Sequence, residues 1–237
     1  MTAFLASVTS VDEARIVLEC GADIIDLKNP YSGALGALPL ATVREIVRFV
    51  DGRKPVSATI GDLPMQPSLL LDAAGEMAGT GVDIVKIGFF EPPAEIGQYE
   101  ACVHALGVLT QSVRLVAVMF ADLKFQPAIK DFAAAGFYGV MLDTATKSGL
   151  SLGDLYTPEQ LHDFVRQAHD YSLLAGLAGA LKAHDIPEMA LHKPDYLGFR
   201  GALCENAMRT MAIERGKARH LRQLLRECNR LVECTMV

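Results

Sequence analysis

Eight β-rich runs alternate with helical stretches from one end of this chain to the other. The runs are 4–8 (FLASV), 23–28 (DIIDLK), 56–61 (VSATIG), 83–88 (DIVKIG), 114–122 (RLVAVMFAD), 139–144 (GVMLDT), 173–179 (LLAGLAG) and 196–201 (YLGFRG). Strand–helix alternation of this kind belongs to α/β architecture with a parallel sheet. Eight units in 237 residues predict a (β/α)8 TIM barrel, a single domain spanning residues 1–237. The rival is an open doubly wound sheet. It is disfavoured because the count is eight and no Gly-x-Gly-x-x-Gly follows the first run.

Helix boundaries are marked locally. Ser10 stands as N-cap before VDEARIVLE, and Thr157-Pro158 pairs an N-cap with proline at the first helical position. SLLLDAAGEMAG and AEIGQYEACVHALGVL also read as helices. Gly21, Gly81 and Gly136 each precede a strand, where a left-handed helix cap suits glycine. The basic stretch ERGKARHLRQLLRECNR, with Leu221, Leu224, Leu225 and Leu231 as its apolar stripe, reads as the last barrel helix with a solvated face.

With 51% hydrophobic residues the chain can bury a substantial core. A net charge of −6 and a pI of about 5.5 argue against nucleic acid or an anionic membrane as partner. The start, MTAFLASVTSVDEAR, lacks a signal-peptide pattern, and no apolar run reaches bilayer length. The five cysteines are odd in number and widely spread, which reads as reduced thiols in a cytoplasmic protein. The histidines show no paired metal-ligand spacing, so neither a metal nor another cofactor is expected. A homo-oligomer is expected from habits of the fold alone.

The second run breaks the apolar rule. Ile25 and Leu27 share one parity, Asp26 and Lys28 the other. If the isoleucine and leucine face the helices, the acid and the amine point into the barrel, with Lys28 at its C-terminal mouth. By the same parity Lys86, Asp143 and Arg200 point inward from the fourth, sixth and eighth runs. Alternate strands build one layer of a barrel, so these four charges form one ring. A structural ion-pair network is the bland alternative. The chemical reading is a Schiff-base lysine: desolvation and a second cation favour the neutral amine that attacks a carbonyl. Asp26 and Asp143 would hold the remaining ammonium and relay protons.

Lys147, in TATKSGL, is a loop lysine able to swing over the mouth. Asp122 and Lys124, in FADLKF, repeat the acid–amine pattern, although for Lys124 a solvated loop charge is as well supported as a site role. The loops after the seventh and eighth runs, AGLAGALK and GFRGALC, supply Gly179, Ala180, Gly201 and Ala202, whose small side chains let a phosphate approach the backbone, with Arg200 adding charge. Thr59, Asp122 and Lys124 complete the expected substrate-binding set. The loop NPYSGALGA, with Ser32, Gly33 and Gly36, could hold a second anion or act as a lid.

GADIIDLKNP with SGALGA, then VSATIGDLP, DIVKIG, VMLDTATKSG, LAGALK and GFRGA, resemble in order the (5-formylfuran-3-yl)methyl phosphate synthases of methanofuran biosynthesis. The likeness covers nearly the whole chain. It implies a barrel related to class I aldolases that joins two molecules of glyceraldehyde 3-phosphate, releasing phosphate and water, into a phosphorylated furan aldehyde. It further implies that Lys28 forms the Schiff base, Lys86 accepts a proton, and Asp26, Asp143 and Lys147 complete the catalytic set. The expected order is iminium formation on Lys28, proton removal by Lys86, loss of phosphate, addition to the second aldehyde, and ring closure. Another Schiff-base aldolase acting on a sugar phosphate is the nearest rival. A non-catalytic sugar-phosphate sensor is the rival of a different class.

Overall fold

A computed structural model describes residues 1–91, 97–146 and 149–234. The strands are β1 (Ala3–Val8), β2 (Ile24–Leu27), β3 (Val56–Thr59), β4 (Ile84–Gly88), β5 (Arg114–Phe120), β6 (Gly139–Asp143), β7 (Leu174–Leu177) and β8 (Tyr196–Phe199). They pair in parallel, each with its neighbour in sequence, and β8 returns to β1. The sheet is a closed eight-stranded barrel, as the alternation predicts.

The helices are α1 (Val11–Glu19), α2 (Leu40–Val50), α3 (Pro67–Ala78), α4 (Gln98–Gly107), α5 (Ile129–Ala134), α6 (Leu152–Leu155), α7 (Pro158–Asp170), α8 (Ile186–Leu191) and α9 (Arg215–Cys234). Ser10 caps α1 by accepting from the Glu13 amide, and Thr157 and Gln160 close a reciprocal capping box on α7. Gly21, Gly81 and Gly136 all take positive φ, at +84°, +90° and +81°, as the helix-to-strand turns require. No helix among the described residues is long and apolar enough to cross a membrane.

Several strands stop earlier than their β-rich runs suggest. The runs 56–61 and 173–179 end as strands at Thr59 and Leu177. Gly61 and Gly179 sit at φ of +100° and +101°, which no pleated strand tolerates, so the chain leaves the ladder there to build the mouth.

Parity divides the core into two layers. Ile25, Leu27, Val85, Ile87, Val140, Leu142, Leu197 and Phe199 pack outward against the helices. Leu5, Ile84, Val116, Val118, Phe120, Met141 and Tyr196 fill the barrel interior. Each fully buried side chain of this size contributes roughly 1.5–3 kcal/mol. The Tyr196 ring needs the empty space at Gly176, where a Cβ would meet it at 2.3 Å.

Aspartates before three strands secure the N-terminal end. Asp23, Asp83 and Asp195 accept from the amides of Phe4, Val56 and Ala175, extending the ladder with side-chain oxygens. Asp23 also binds Arg222 of α9 at 2.6 Å. Asn229 of the same helix donates to Thr2 O and accepts from Thr2 N, both at 2.9 Å. These contacts place α9 across the closure of the barrel. The C-terminal end is left for the cavity.

Candidate active site

At the C-terminal mouth lies a cavity of about 250 Å³. Asp26, Lys28, Lys86 and Asp143 line it, together with the loops after β7 and β8. Strand register sets the deepest group. Ser7 of β1 and Ser57 of β3 stand level with Asp26 of β2 on either side. Both hydroxyls donate to the Asp26 carboxylate, at 2.6 Å and 2.7 Å. Lys86 Nζ completes the cradle at 2.7 Å from Asp26 Oδ1.

Both members of that pair are nearly sealed from water, with side-chain exposures of 2% for Lys86 and 1% for Asp26. Burial by itself would raise the Asp26 pKa. The charge and hydrogen bond of Lys86, with the Ser7 hydroxyl, outweigh it and hold the carboxyl below its ordinary range. For Lys86 burial dominates and pushes the pKa down. Asp26 opposes that shift, and the charge of Lys28 reinforces it. Lys86 therefore gives up its proton more readily than a solvated lysine.

Lys28 follows the end of β2 and reaches the cavity one layer higher. Its Nζ lies 3.0 Å from Asp143 Oδ2, with side-chain exposures of 12% and 7% for the two partners. Asp143 ends β6, and its Oδ1 accepts from the Thr144 amide at 2.7 Å. Two amine–carboxylate pairs thus stack along the pore: a sealed one suited to proton transfer, and one open to an entering carbonyl compound.

The mouth loops are fastened by carboxylates. Asp62 accepts from the Ala34 and Leu35 amides, both at 2.6 Å, drawing the loop after β2 inward. Gly33, at φ +72°, leaves room for that carboxylate; a Cβ there would collide with Asp62 Oδ2. This contact links the SGALGA and VSATIGD segments physically. Thr59 serves the same loop, its hydroxyl donating to Gly36 O at 2.9 Å.

The structure brings some expected residues to the cavity and not others. Gly179, Ala180, Gly201 and Ala202 line it. Thr59, Asp122 and Lys124 do not. Thr59 is fully buried beneath the loop it holds. Asp122 accepts from the Ala145 and Thr146 amides at 2.7 Å and 2.6 Å, so it shapes the turn after β6. Burial would raise its pKa, but the Thr146 hydroxyl and these amides bring it below the ordinary value. Lys124 is exposed on the surface. Arg200 borders the cavity, yet its guanidinium is bound to Glu13 at 2.6 Å rather than joining the inner ring. Lys147 lies outside the described residues.

Four groups with a part in this geometry carry little sequence signal. Ser7 and Ser57 are single polar residues on the inward parity of their runs, and level register with Asp26 is the clue that could have found them. Glu13 holds Arg200 across 187 positions of sequence. Arg209, in an irregular loop, also lines the cavity. No cluster of three or more His, Cys, Asp or Glu side chains suited to a metal occurs among the described residues.

Residues 4–222 match the family model described as 4-HFC-P synthase. The chain is 37% identical over 214 residues to the (5-formylfuran-3-yl)methyl phosphate synthase of Methanopyrus kandleri, covering 86% of this chain and 90% of that one. It is 42% identical over 211 residues to a Methylorubrum extorquens protein provisionally given the same name, covering 89% and 86%. Among solved structures, phosphoribosyl anthranilate isomerase from Thermus thermophilus superposes with a TM-score of 0.67 at 16% identity, covering 96% of this chain and 99% of that one. That last likeness speaks to the barrel fold.

Proposed function

The chain belongs to the 4-HFC-P synthase family, and from that premise we propose that it joins two molecules of glyceraldehyde 3-phosphate into (5-formylfuran-3-yl)methyl phosphate in methanofuran-type cofactor biosynthesis. One phosphate and two waters leave, which balances the atoms. The product identifies the enzyme as a carbon–oxygen lyase acting on phosphates. The observation that supports this most is the pair of lysines, each held by its own carboxylate, just past the end of β2 and on β4 within one cavity.

Lys28 is the nucleophile. It borders open space, and Asp143 beside it can take and return the protons that carbinolamine formation and dehydration require. Lys86 is the base. Its buried position favours the neutral amine that removes the proton next to the iminium carbon. The enamine so formed expels phosphate, and the remaining three-carbon unit bonds through its terminal carbon to the carbonyl carbon of the second triose in its ketone isomer. Ring closure and loss of two waters give the furan. Hydrolysis of the iminium, taking back the water released when it formed, frees Lys28. Asp26, tied by Ser7 and Ser57, receives the charge on Lys86 when the proton arrives. Lys147, which lies outside the described residues, is assigned to proton shuttling on its sequence position four residues past Asp143. The glycine- and alanine-lined loops after β7 and β8 take phosphate.

The test is incubation with glyceraldehyde 3-phosphate alone. Inorganic phosphate and furan absorbance should rise together, in equal amounts. Formation of a product that keeps both phosphates would instead favour a sugar-phosphate aldolase.

A further inference from the structure

We infer that Arg209, and not Arg200, is the guanidinium that receives a substrate phosphate, and that Arg200 is the positioning residue that holds it in place. The inference rests on the reading above that the substrates are phosphorylated trioses.

Arg200 is the arginine that its place after β8 would nominate. Its donors are already used. Nε donates to Arg209 O at 2.7 Å. Nη1 donates to Ser7 O at 3.2 Å and to Glu13 Oε2 at 2.6 Å. Nη2 donates to Glu13 Oε1 and to Met211 O, both at 3.2 Å. A guanidinium has five N–H groups, and every one is engaged. Glu13 neutralises the charge and is itself fixed by the Thr9 amide and hydroxyl, at 2.8 Å and 2.9 Å. Binding phosphate here would mean breaking a partly buried bidentate ion pair.

Arg209 is in the opposite condition. It lines the same cavity. Its Nη1 donates to Gly33 O at 3.0 Å, and its remaining N–H groups have no hydrogen-bond partner among the described residues. Asp143 and Asp62 lie close enough to act on it electrostatically, but neither forms an ion pair with it among those residues. A planar fork with spare donors, partly desolvated at the edge of a cavity, suits a phosphate dianion.

The backbone beneath Arg209 is held from several sides. Arg200 takes its carbonyl. Tyr31 Oη donates to the next carbonyl, Thr210 O, at 2.8 Å. Glu205 N donates to Ala212 O at 3.0 Å, closing the loop on itself. Such tethering reduces the entropy lost when the guanidinium binds. Arg200 thus acts through Arg209 without touching the ligand.

Glycerol 3-phosphate is the probe, because it carries the phosphate without a carbonyl and cannot form an iminium. Calorimetric titration of the full chain should show binding that Arg209→Ala weakens by about tenfold or more. Arg209→Gln keeps a donor for Gly33 O and should lose affinity equally, which separates phosphate recognition from loop tethering. Arg209→Lys should recover part of the affinity through charge alone. Arg200→Lys should also weaken binding in the wild-type background but add little on top of Arg209→Ala, the non-additivity expected of residues acting as one unit. Equal affinity for wild type and Arg209→Gln, no binding by the wild type, or additive losses with Arg200→Lys would overturn the inference. Borohydride trapping with glyceraldehyde 3-phosphate reads the Lys28 chemistry separately. Intact phosphate binding without an adduct counts against the Schiff base, and an adduct without Arg209-dependent binding counts against this inference.

Discussion

Lys86 Nζ rests 2.7 Å from Asp26 Oδ1 at the floor of the barrel cavity, where both groups are nearly sealed from water. An ion pair so placed is expensive to assemble, because both charges lose hydration that their mutual attraction only partly returns. In the proposed mechanism that cost has a use: burial lowers the Lys86 pKa, so the side chain releases its proton more readily.

Breaking the pair from one side strands a charge. Lys86→Met alone, or Asp26→Leu alone, should cost about 3–5 kcal/mol of folding stability. The double variant should recover most of that loss while remaining inactive. Urea denaturation of the three proteins checks this, and a double variant no more stable than either single one would contradict it.

The pH dependence of catalysis has a defined sign. With Lys86 as base, kcat/KM should rise with pH through an apparent pKa below the ordinary lysine value of 10.5. Asp26 raises the Lys86 pKa, so Asp26→Asn should move the rising limb to lower pH while reducing the plateau about a hundredfold. A pH–rate profile decides it; a shift to higher pH would be inconsistent with the assigned roles.

Stability against acid follows from the same carboxylate. The folded-state pKa of Asp26 is depressed below its ordinary 3.8. Its contribution to stability is therefore present above 3.8 and is lost as pH falls through the depressed folded value. Lys86, also depressed, makes stability rise with pH between its folded value and 10.5. Denaturation midpoints of wild type and Asp26→Asn across the acid range should converge as pH falls. Divergence there would count against the depressed carboxylate.

Asp122 offers a test of loop shaping apart from chemistry. Asp122→Ala removes the acceptor for the Ala145 and Thr146 amides, and should slow turnover about tenfold or more. Lys28 stands after β2 rather than on that turn, so its borohydride adduct should still form. Loss of the adduct in Asp122→Ala would show that the turn after β6 governs Lys28 as well.

The barrel was readable in the sequence because eight apolar runs repeat with helical stretches between them, and period-two parity then turned Asp26, Lys28, Lys86 and Asp143 inward. Charges on a strand are conspicuous. Serines are not, so neither Ser7 nor Ser57 stands out in the sequence although both hold the Asp26 carboxylate. Arg200 shows the limit of parity. Its strand position was legible, but its direction is set by Glu13, a residue on the first helix that no local pattern links to it. Arg209 was invisible for another reason. It follows Asn206 and Ala207, both at positive φ, in a loop without any period for sequence reading to use. Thr59 and Asp122 look like ligands in sequence because polar residues at barrel strand ends often are. In the structure both bind backbone groups of neighbouring loops.

The most direct measurement is borohydride reduction in the presence of glyceraldehyde 3-phosphate, followed by peptide mass spectrometry. One triose-derived adduct on Lys28 is expected, dependent on the aldehyde and absent from Lys28→Arg. An adduct confined to Lys86 or another lysine, with Lys28 unmodified, would contradict the assignment on which the proposed mechanism depends.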